Sequence, residues 1–182
     1  MRKHTKGAPP VGHAAAPDRY EAERLVSAYA DLALRVAYTY VGNRADAEDI
    51  SQDVLIKLMY HAPHFESLDH ERAWVIRCTA NAAKDFIKSA SVRKVIPFDG
   101  IEAAGGQFVA PERDDARFSA KDVLSQVMKL PLASREVIYL RYFERMSIVE
   151  IATITGISEA AVTKRLSRAR QDLKIKLEKS VS

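Results

Sequence analysis

The chain has 182 residues, 47% of them hydrophobic and 29% charged, the balance of a globular protein with one ordinary domain or two small ones. Seven Gly and seven Pro exclude collagen-like and Pro-rich fibrous classes, and the single cysteine, Cys78, excludes an internal disulfide framework and fits a reducing, cytoplasmic setting. The formal net charge of +4 is too small to imply nucleic-acid binding by itself, but it is distributed in blocks: residues 20–60 and 97–117 each carry −3, residues 61–96 carry +2 and residues 151–182 carry +4. No apolar run approaches the roughly 18 residues of a membrane span, so no membrane insertion is expected. The basic N-terminus has no continuous apolar stretch and does not read as a signal peptide.

Residues 1–18 hold three prolines and two glycines with almost no large apolar side chain, and read as a disordered basic arm. Helical periodicity starts at Tyr20, where Leu25, Tyr29, Leu32, Val36 and Tyr40 recur at three- and four-residue spacing until Gly42-Asn43 stops the run. A second helix is expected over about 45–60, with Ala47, Ile50, Val54 and Leu58 on one face. A third is expected over about 70–89, with Ala73, Ile76, Ala80, Ala83 and Ile87 inward. Residues 91–117, punctuated by Pro97, Gly100, Gly105, Gly106 and Pro111, have no sustained period and read as an interdomain linker. Periodicity resumes near Phe118 and continues in a helix after Ser134, another over about 147–155 and a last over about 158–179. The expected fold is therefore all-α: two small helical domains, 19–90 and 118–182, on a flexible tether.

The sharpest local pattern is SIVEIATITGISEAAVTKRLSRARQDL, residues 147–173. Ser147 and Glu150 have capping-box spacing, Gly156 sits where the chain must turn, and Ser158 offers a second N-cap. Val162, Leu166, Ala169 and Leu173 form an apolar stripe, opposite a face of Thr163, Lys164, Ser167, Arg168 and Gln171 flanked by Arg165, Arg170 and Lys174. Caps, turn, stripe and basic face together read as a helix-turn-helix whose second helix enters the major groove, rather than a plain hairpin with a solvated basic side.

Two further faces carry chemistry. Asp46, Asp49 and Asp53 line one side of the second helix, with Glu48 and Gln52 beside them. With no His or Cys in that helix and no nucleophile nearby, they read as a solvated face or a docking face for a basic protein surface, not as a metal or catalytic set. The third helix carries Trp74, Arg77, Asn81, Lys84 and Lys88 at helical spacing, a stripe suited to a nucleic-acid strand; Trp74 reads either as core or as a stacking platform. His61, His64 and His70 lie near Cys78 in sequence, but Pro63, two helix boundaries and the lack of a second cysteine argue against zinc. No metal or other cofactor is expected.

In this order, DAEDISQDVLIKL, HERAWVIRCTANAAKDFIKS, a linker and LPLASREVIYLRYFERMSIVEIATITGISEAAVTKRLSRARQDLKIKL resemble bacterial sigma factors of the extracytoplasmic-function group, over about residues 22–90 and 120–178. The resemblance implies a subunit without catalytic residues that docks on core RNA polymerase and directs it to promoter DNA. It puts polymerase binding on Asp46, Glu48, Asp49, Gln52 and Asp53. It puts −10 element contact on Asn81, Lys84 and Asp85, with Arg77 and Lys88 on the backbone and Trp74 in the same stripe. It puts −35 readout on Thr163, Lys164, Ser167 and Arg168, with Arg165 and Arg170 on phosphates. An anti-sigma protein is the further partner it implies. The basic run after the third helix is reduced to Lys88, Arg93 and Lys94, which implies weaker upstream DNA contacts, and Ser167 keeps the −35 sequence from being copied from a relative. The competing readings are a self-sufficient helix-turn-helix repressor or activator, and an enzyme on nucleic acid such as a recombinase, for which residues 20–90 offer no convincing nucleophile or carboxylate set.

Overall fold

The computed structural model describes residues 18–93 and 120–179, and all of the regular structure in them is helical. The expected N-terminal arm and the interdomain linker fall almost wholly outside the described residues. The first half holds α1 (Arg19–Val41), α2 (Arg44–His61) and α3 (Leu68–Arg93). The second holds α4 (Ala120–Met128), α5 (Leu132–Tyr142), α6 (Ile148–Thr155) and α7 (Glu159–Lys179).

Local chemistry sets the helix ends. Asp18 caps α1 by accepting from the Glu21 amide at 2.8 Å. At the other end Gly42 takes φ 78°, and its N–H donates to the Tyr38 carbonyl at 2.9 Å. Asn43 then caps α2 through the Asp46 amide at 2.9 Å. Only two residues separate α1 from α2, so the two helices fold back on each other, and α3 closes the bundle against both. The stripe read from α1 is buried throughout, as are Ala47, Ile50, Val54 and Leu58 of α2. On α3, Ile76, Ala80 and Ala83 are buried while Ala73 and Ile87 pack at the margin, and Trp74 and Val75 join the core.

A charged cluster ties α1 to α3. Arg24 donates to both oxygens of Glu71 (3.0 and 2.9 Å) and to Glu21 on its own helix (2.8 Å). Tyr29 lies beside it, and burial first, then the Glu71 carboxylate, pushes its phenol up to about 12 from an ordinary value of 10. A folded-state acid with a raised pKa stabilises the fold fully below its unfolded pKa and loses that contribution as pH rises through the folded value. Urea midpoints of the wild type are thus expected to fall between about pH 10 and 12. Tyr29→Phe should flatten that decline, and an equally steep decline in the variant would place its cause elsewhere.

In the second half, α5 begins two residues before Ser134, at Leu132, with Pro131 as its N-cap, whose carbonyl accepts from the Ser134 and Arg135 amides at 2.9 Å each. Its residues Arg135 to Leu140 are all buried, so α5 is enclosed on every side rather than amphipathic. It contacts α4, α6 and α7 within its half, and α1 of the first half. The structure thus adds a seam to the two tethered domains expected from sequence: α1 meets α5 and α3 meets α6.

Candidate functional site

The helix-turn-helix is assembled as its residues dictate. Ser147 accepts from the Glu150 amide (3.2 Å) while Glu150 accepts from the Ser147 amide (2.7 Å), a reciprocal cap that starts α6. The Ser147 hydroxyl, which donates to the Glu150 carboxylate at 2.7 Å, and then the Ser147 amide hold that carboxyl below its usual range. Gly156 ends α6 at φ 71°, its N–H on the Ala152 carbonyl at 2.9 Å, and Ser158 accepts from the Ala161 amide (3.2 Å) to open α7. A Cβ on Gly156 would meet no atom within 4 Å, so the demand for glycine is conformational and not steric. Gly156→Ala is expected to cost about 1 kcal/mol, the usual penalty for an L-residue in the left-handed region. Chemical denaturation reads it, and a neutral result would show that the turn relaxes.

Val162, Leu166 and Ala169 of α7 face inward, with Leu173 at the edge. Thr163, Lys164, Ser167, Arg168, Arg170 and Gln171 are exposed, and Arg165 is half-buried. The Thr163 hydroxyl is turned back onto the Glu159 carbonyl at 3.0 Å. Lys164, Arg165, Arg168 and Arg170 make no ion pair with any described residue, so four cations are free for an outside anion. A helix packed on one face and carrying unpaired cations on the other suits the major groove, with side chains at base edges and flanking charges on phosphate.

The α3 stripe is only partly presented. Arg77, Asn81, Asp85 and Lys88 are exposed, with Lys88 3.7 Å from Asp85. Trp74 is 7% exposed, its ring edge-on to Phe65 at 5.7 Å, and is a core residue; its place in the stripe as a stacking platform is not kept, because Phe65 from the α2–α3 loop covers it. Lys84 is also turned away from solvent, into the seam, where it bonds Glu136 at 2.7 Å and the Ile154 carbonyl at 3.1 Å.

On α2 the five acidic-face residues divide. Asp46 takes a hydrogen bond from the Asn43 amide group (2.7 Å), and Glu48 pairs with Arg44 (2.6 Å). Asp49, Gln52 and Asp53 are exposed, and their side chains make no hydrogen bond or ion pair with any described residue. The same outer side continues into Ile56 (51% exposed) and Tyr60 (44% exposed), two large apolar residues that the sequence reading passed over. Their spacing of three and seven from Asp53 is the signal that could have found them.

The residues set aside in the sequence occupy ordinary positions. His70 stands edge-on to Phe65 at 5.6 Å, and burial raises the half-buried Cys78 thiol. Among the described residues no three His, Cys, Asp or Glu side chains gather where they could hold a metal ion. No described helix is long and apolar enough to cross a membrane.

A protein whose regular structure is all helical among the described residues, and whose C-terminal helix-turn-helix presents four unpaired cations, is defined as a DNA-binding protein. Comparison with known proteins narrows the class. Residues 25–93 match the family model for sigma-70 region 2, and residues 120–173 match that for sigma-70 region 4. The RNA polymerase sigma factor NccH of Alcaligenes xylosoxydans xylosoxydans is 30% identical over 172 residues, covering 92% of each chain. The ECF RNA polymerase sigma factor SigW of Bacillus subtilis is 27% identical over 165 residues, covering 84% of this chain and 87% of its own. Among solved structures, the sigma factor RpoE from Bartonella quintana, in complex with the anti-sigma factor NepR, superposes with a TM-score of 0.62 at 20% identity, over 87% of this chain and 97% of that one. At that identity the superposition shows the shared fold alone. The chain belongs to the sigma-70 family, in its extracytoplasmic-function group, and is a sigma factor that directs RNA polymerase to promoters.

Proposed function

We propose that this sigma factor binds core RNA polymerase through the outer face of α2, meets the −10 element with α3 and reads the −35 element with α7. The observation that carries the reading is the separation of unpaired charge onto different helices. The carboxylates of Asp49 and Asp53 stand free on α2 with the neutral Gln52 between them, and Lys164, Arg165, Arg168 and Arg170 stand free on α7. Acidic and basic faces of one chain suit two partners at once, a basic protein surface and a DNA backbone.

Asp46 and Glu48 complete the polymerase face from its edge, where their local pairs orient them. Arg77, Asn81, Asp85 and Lys88 form the ready part of the −10 surface, and Lys84 joins them once it is released from the seam. Lys164, Ser167 and Arg168 would meet base edges, with Thr163 beside them and Arg165 and Arg170 on phosphate. Residues 19–90 and 118–182 are the two functional domains, and 91–117 the linker between them. The protein would have no catalytic activity of its own and would act in the cytoplasm with polymerase. An anti-sigma protein is a fitting regulator, since the RpoE neighbour is held in such a complex.

Transcription in vitro with purified bacterial core polymerase and a genomic promoter library tests the reading. Initiation from a discrete promoter set, dependent on both core enzyme and this chain, is the expected result. Tight, specific duplex binding by the protein alone, with no initiation on addition of polymerase, would instead make it a self-sufficient regulator.

A further inference from the structure

The seam between the two halves is charged where an interface built only for stability would be apolar. Glu136 of α5 is 5% exposed, and its Oε1 takes two partners from the other half. The Tyr40 hydroxyl of α1 donates to it at 2.7 Å, and the Lys84 ammonium of α3 approaches it at 2.7 Å. The Lys84 ammonium also donates to the Ile154 carbonyl at the end of α6, and it lies 5.7 Å from the centre of the Tyr40 ring. Beside it, Arg135 is 7% exposed and pairs with no carboxylate among the described residues. Its Nη1 donates to the Met128 carbonyl (3.0 Å), its Nη2 to the Tyr40 carbonyl (3.3 Å), and its Nε meets no acceptor. A second bridge, Arg72 to Glu144, crosses the seam nearby, with the Tyr139 hydroxyl on the other Glu144 oxygen at 2.8 Å.

Buried charges recover on pairing roughly what they lose in desolvation, so such contacts fix a geometry while adding little net stability. An unpaired Nε within the desolvated Arg135 guanidinium tilts that balance further toward separation. Charged groups that regain water on parting make a seam that can open, and movement between small domains is the default where their interface is polar. What the closed seam withholds is specific. Lys84 shares α3 with Arg77, Asn81, Asp85 and Lys88, and its ammonium cannot meet a phosphate while Glu136 holds it. The same ammonium ties α3 to the last turn of α6, two residues before the Gly156 turn that leads into α7.

We propose that Glu136 closes an intramolecular latch that holds the two DNA-contacting halves together and keeps Lys84 from single-stranded DNA until it opens. This rests on the reading of α3 as a DNA-contacting helix. Opening exchanges the Glu136–Lys84 and Tyr40–Glu136 contacts for water. It frees the two halves to take the spacing that two separate promoter elements impose.

The test uses the full chain. Tyr40→Phe removes one hydrogen bond without changing charge. Glu136→Gln removes the carboxylate charge, and Glu23→Gln, an exposed neutralisation on α1, controls for its effect on net charge. Small-angle scattering reports the separation of the halves, and fluorescence anisotropy reports binding to a 20-nucleotide mixed-sequence single strand across a salt series. Tyr40→Phe and Glu136→Gln are expected to expand the protein and tighten binding about threefold or more. The salt dependence should steepen by about 0.7 in log–log slope, one added phosphate contact. Glu23→Gln should leave the dimensions unchanged and tighten binding less than Glu136→Gln.

A wild type already extended in solution would overturn the latch, and so would both seam variants matching wild type in size and binding. Expansion without tighter or more salt-dependent binding would overturn the withholding of Lys84. Circular dichroism on each variant separates opening from unfolding, and Tyr40→Phe carries the test if Glu136→Gln loses helix. The underlying reading fails separately: a wild type that starts no promoter-specific transcription sinks it whatever the scattering shows.

Discussion

Replacing Asp49 and Asp53 together by lysine is expected to weaken binding to core RNA polymerase by about a hundredfold or more. Both carboxylates are exposed and unpaired on α2, so folding gives them no partner to lose. Reversal converts two attractions into two like-charge contacts against a basic surface, and such juxtapositions cost several kcal/mol where about 1.4 kcal/mol is a tenfold change. Stability should move by no more than about 0.5 kcal/mol, the usual range for exposed positions. Glu48→Ala is the informative contrast. Its carboxylate is already paired with Arg44 at 2.6 Å in an exposed i,i+4 bridge, so its loss should cost about 1 kcal/mol or less. Ile56→Ala and Tyr60→Ala should each weaken binding without touching the charge pattern, if the apolar end of the face is buried on docking. Titration of labelled protein with core enzyme ranks the variants. A double variant that binds as wild type would remove α2 from the docking surface, and duplex binding by the C-terminal helices should persist throughout.

The legible parts of this protein are those in which a local pattern determines a local structure. The α1 stripe from Leu25 to Tyr40 is buried as its spacing demands, and Gly42-Asn43 ends one helix and caps the next. Ser147, Glu150, Gly156 and Ser158 all act at the sequence positions where caps and a left-handed turn are required. Those features are short-range, and periodicity with capping chemistry is enough to find them.

Other features depend on what lies across the molecule. The run Arg135-Glu136-Val137-Ile138-Tyr139-Leu140 gives no sign that two charged residues are buried with four apolar ones, because Glu136 finds Tyr40 and Lys84, 96 and 52 positions away, and Arg135 reaches the Tyr40 carbonyl, 95 positions away. Packing also decides the fate of the α3 stripe, through a near neighbour at Trp74 and a distant one at Lys84. Trp74 is covered by Phe65 and Lys84 by Glu136, so a cationic stripe continuous in sequence is broken in space. Helical spacing identifies which side chains share a face, but not which neighbour covers part of it.

Ile151→Ala should be the most damaging single truncation in the helix-turn-helix, costing about 3 kcal/mol within the range of about 2–5 typical of buried isoleucines. Ile151 is fully buried, and α6 has only eight residues, with Ile154 as its other buried side chain. A helix of that length does not persist by propensity, so its position depends on the Ser147–Glu150 cap and on these two anchors. The cap is worth about 1 kcal/mol and cannot hold α6 once Ile151 leaves a cavity. With α6 unseated, the Gly156 turn no longer fixes the entry of α7, and Lys164 and Arg168 lose their common orientation. Duplex binding should therefore fall further than the loss of global stability alone would give, at temperatures where α1–α3 remain folded. Denaturation midpoints and duplex titration on the same preparation separate the two effects. Binding that tracks only the folded fraction would show that α7 holds its orientation through α5, with α6 a passenger. A loss beyond that fraction would make the Ile151 contact the link between the packing of the second half and its reading of DNA.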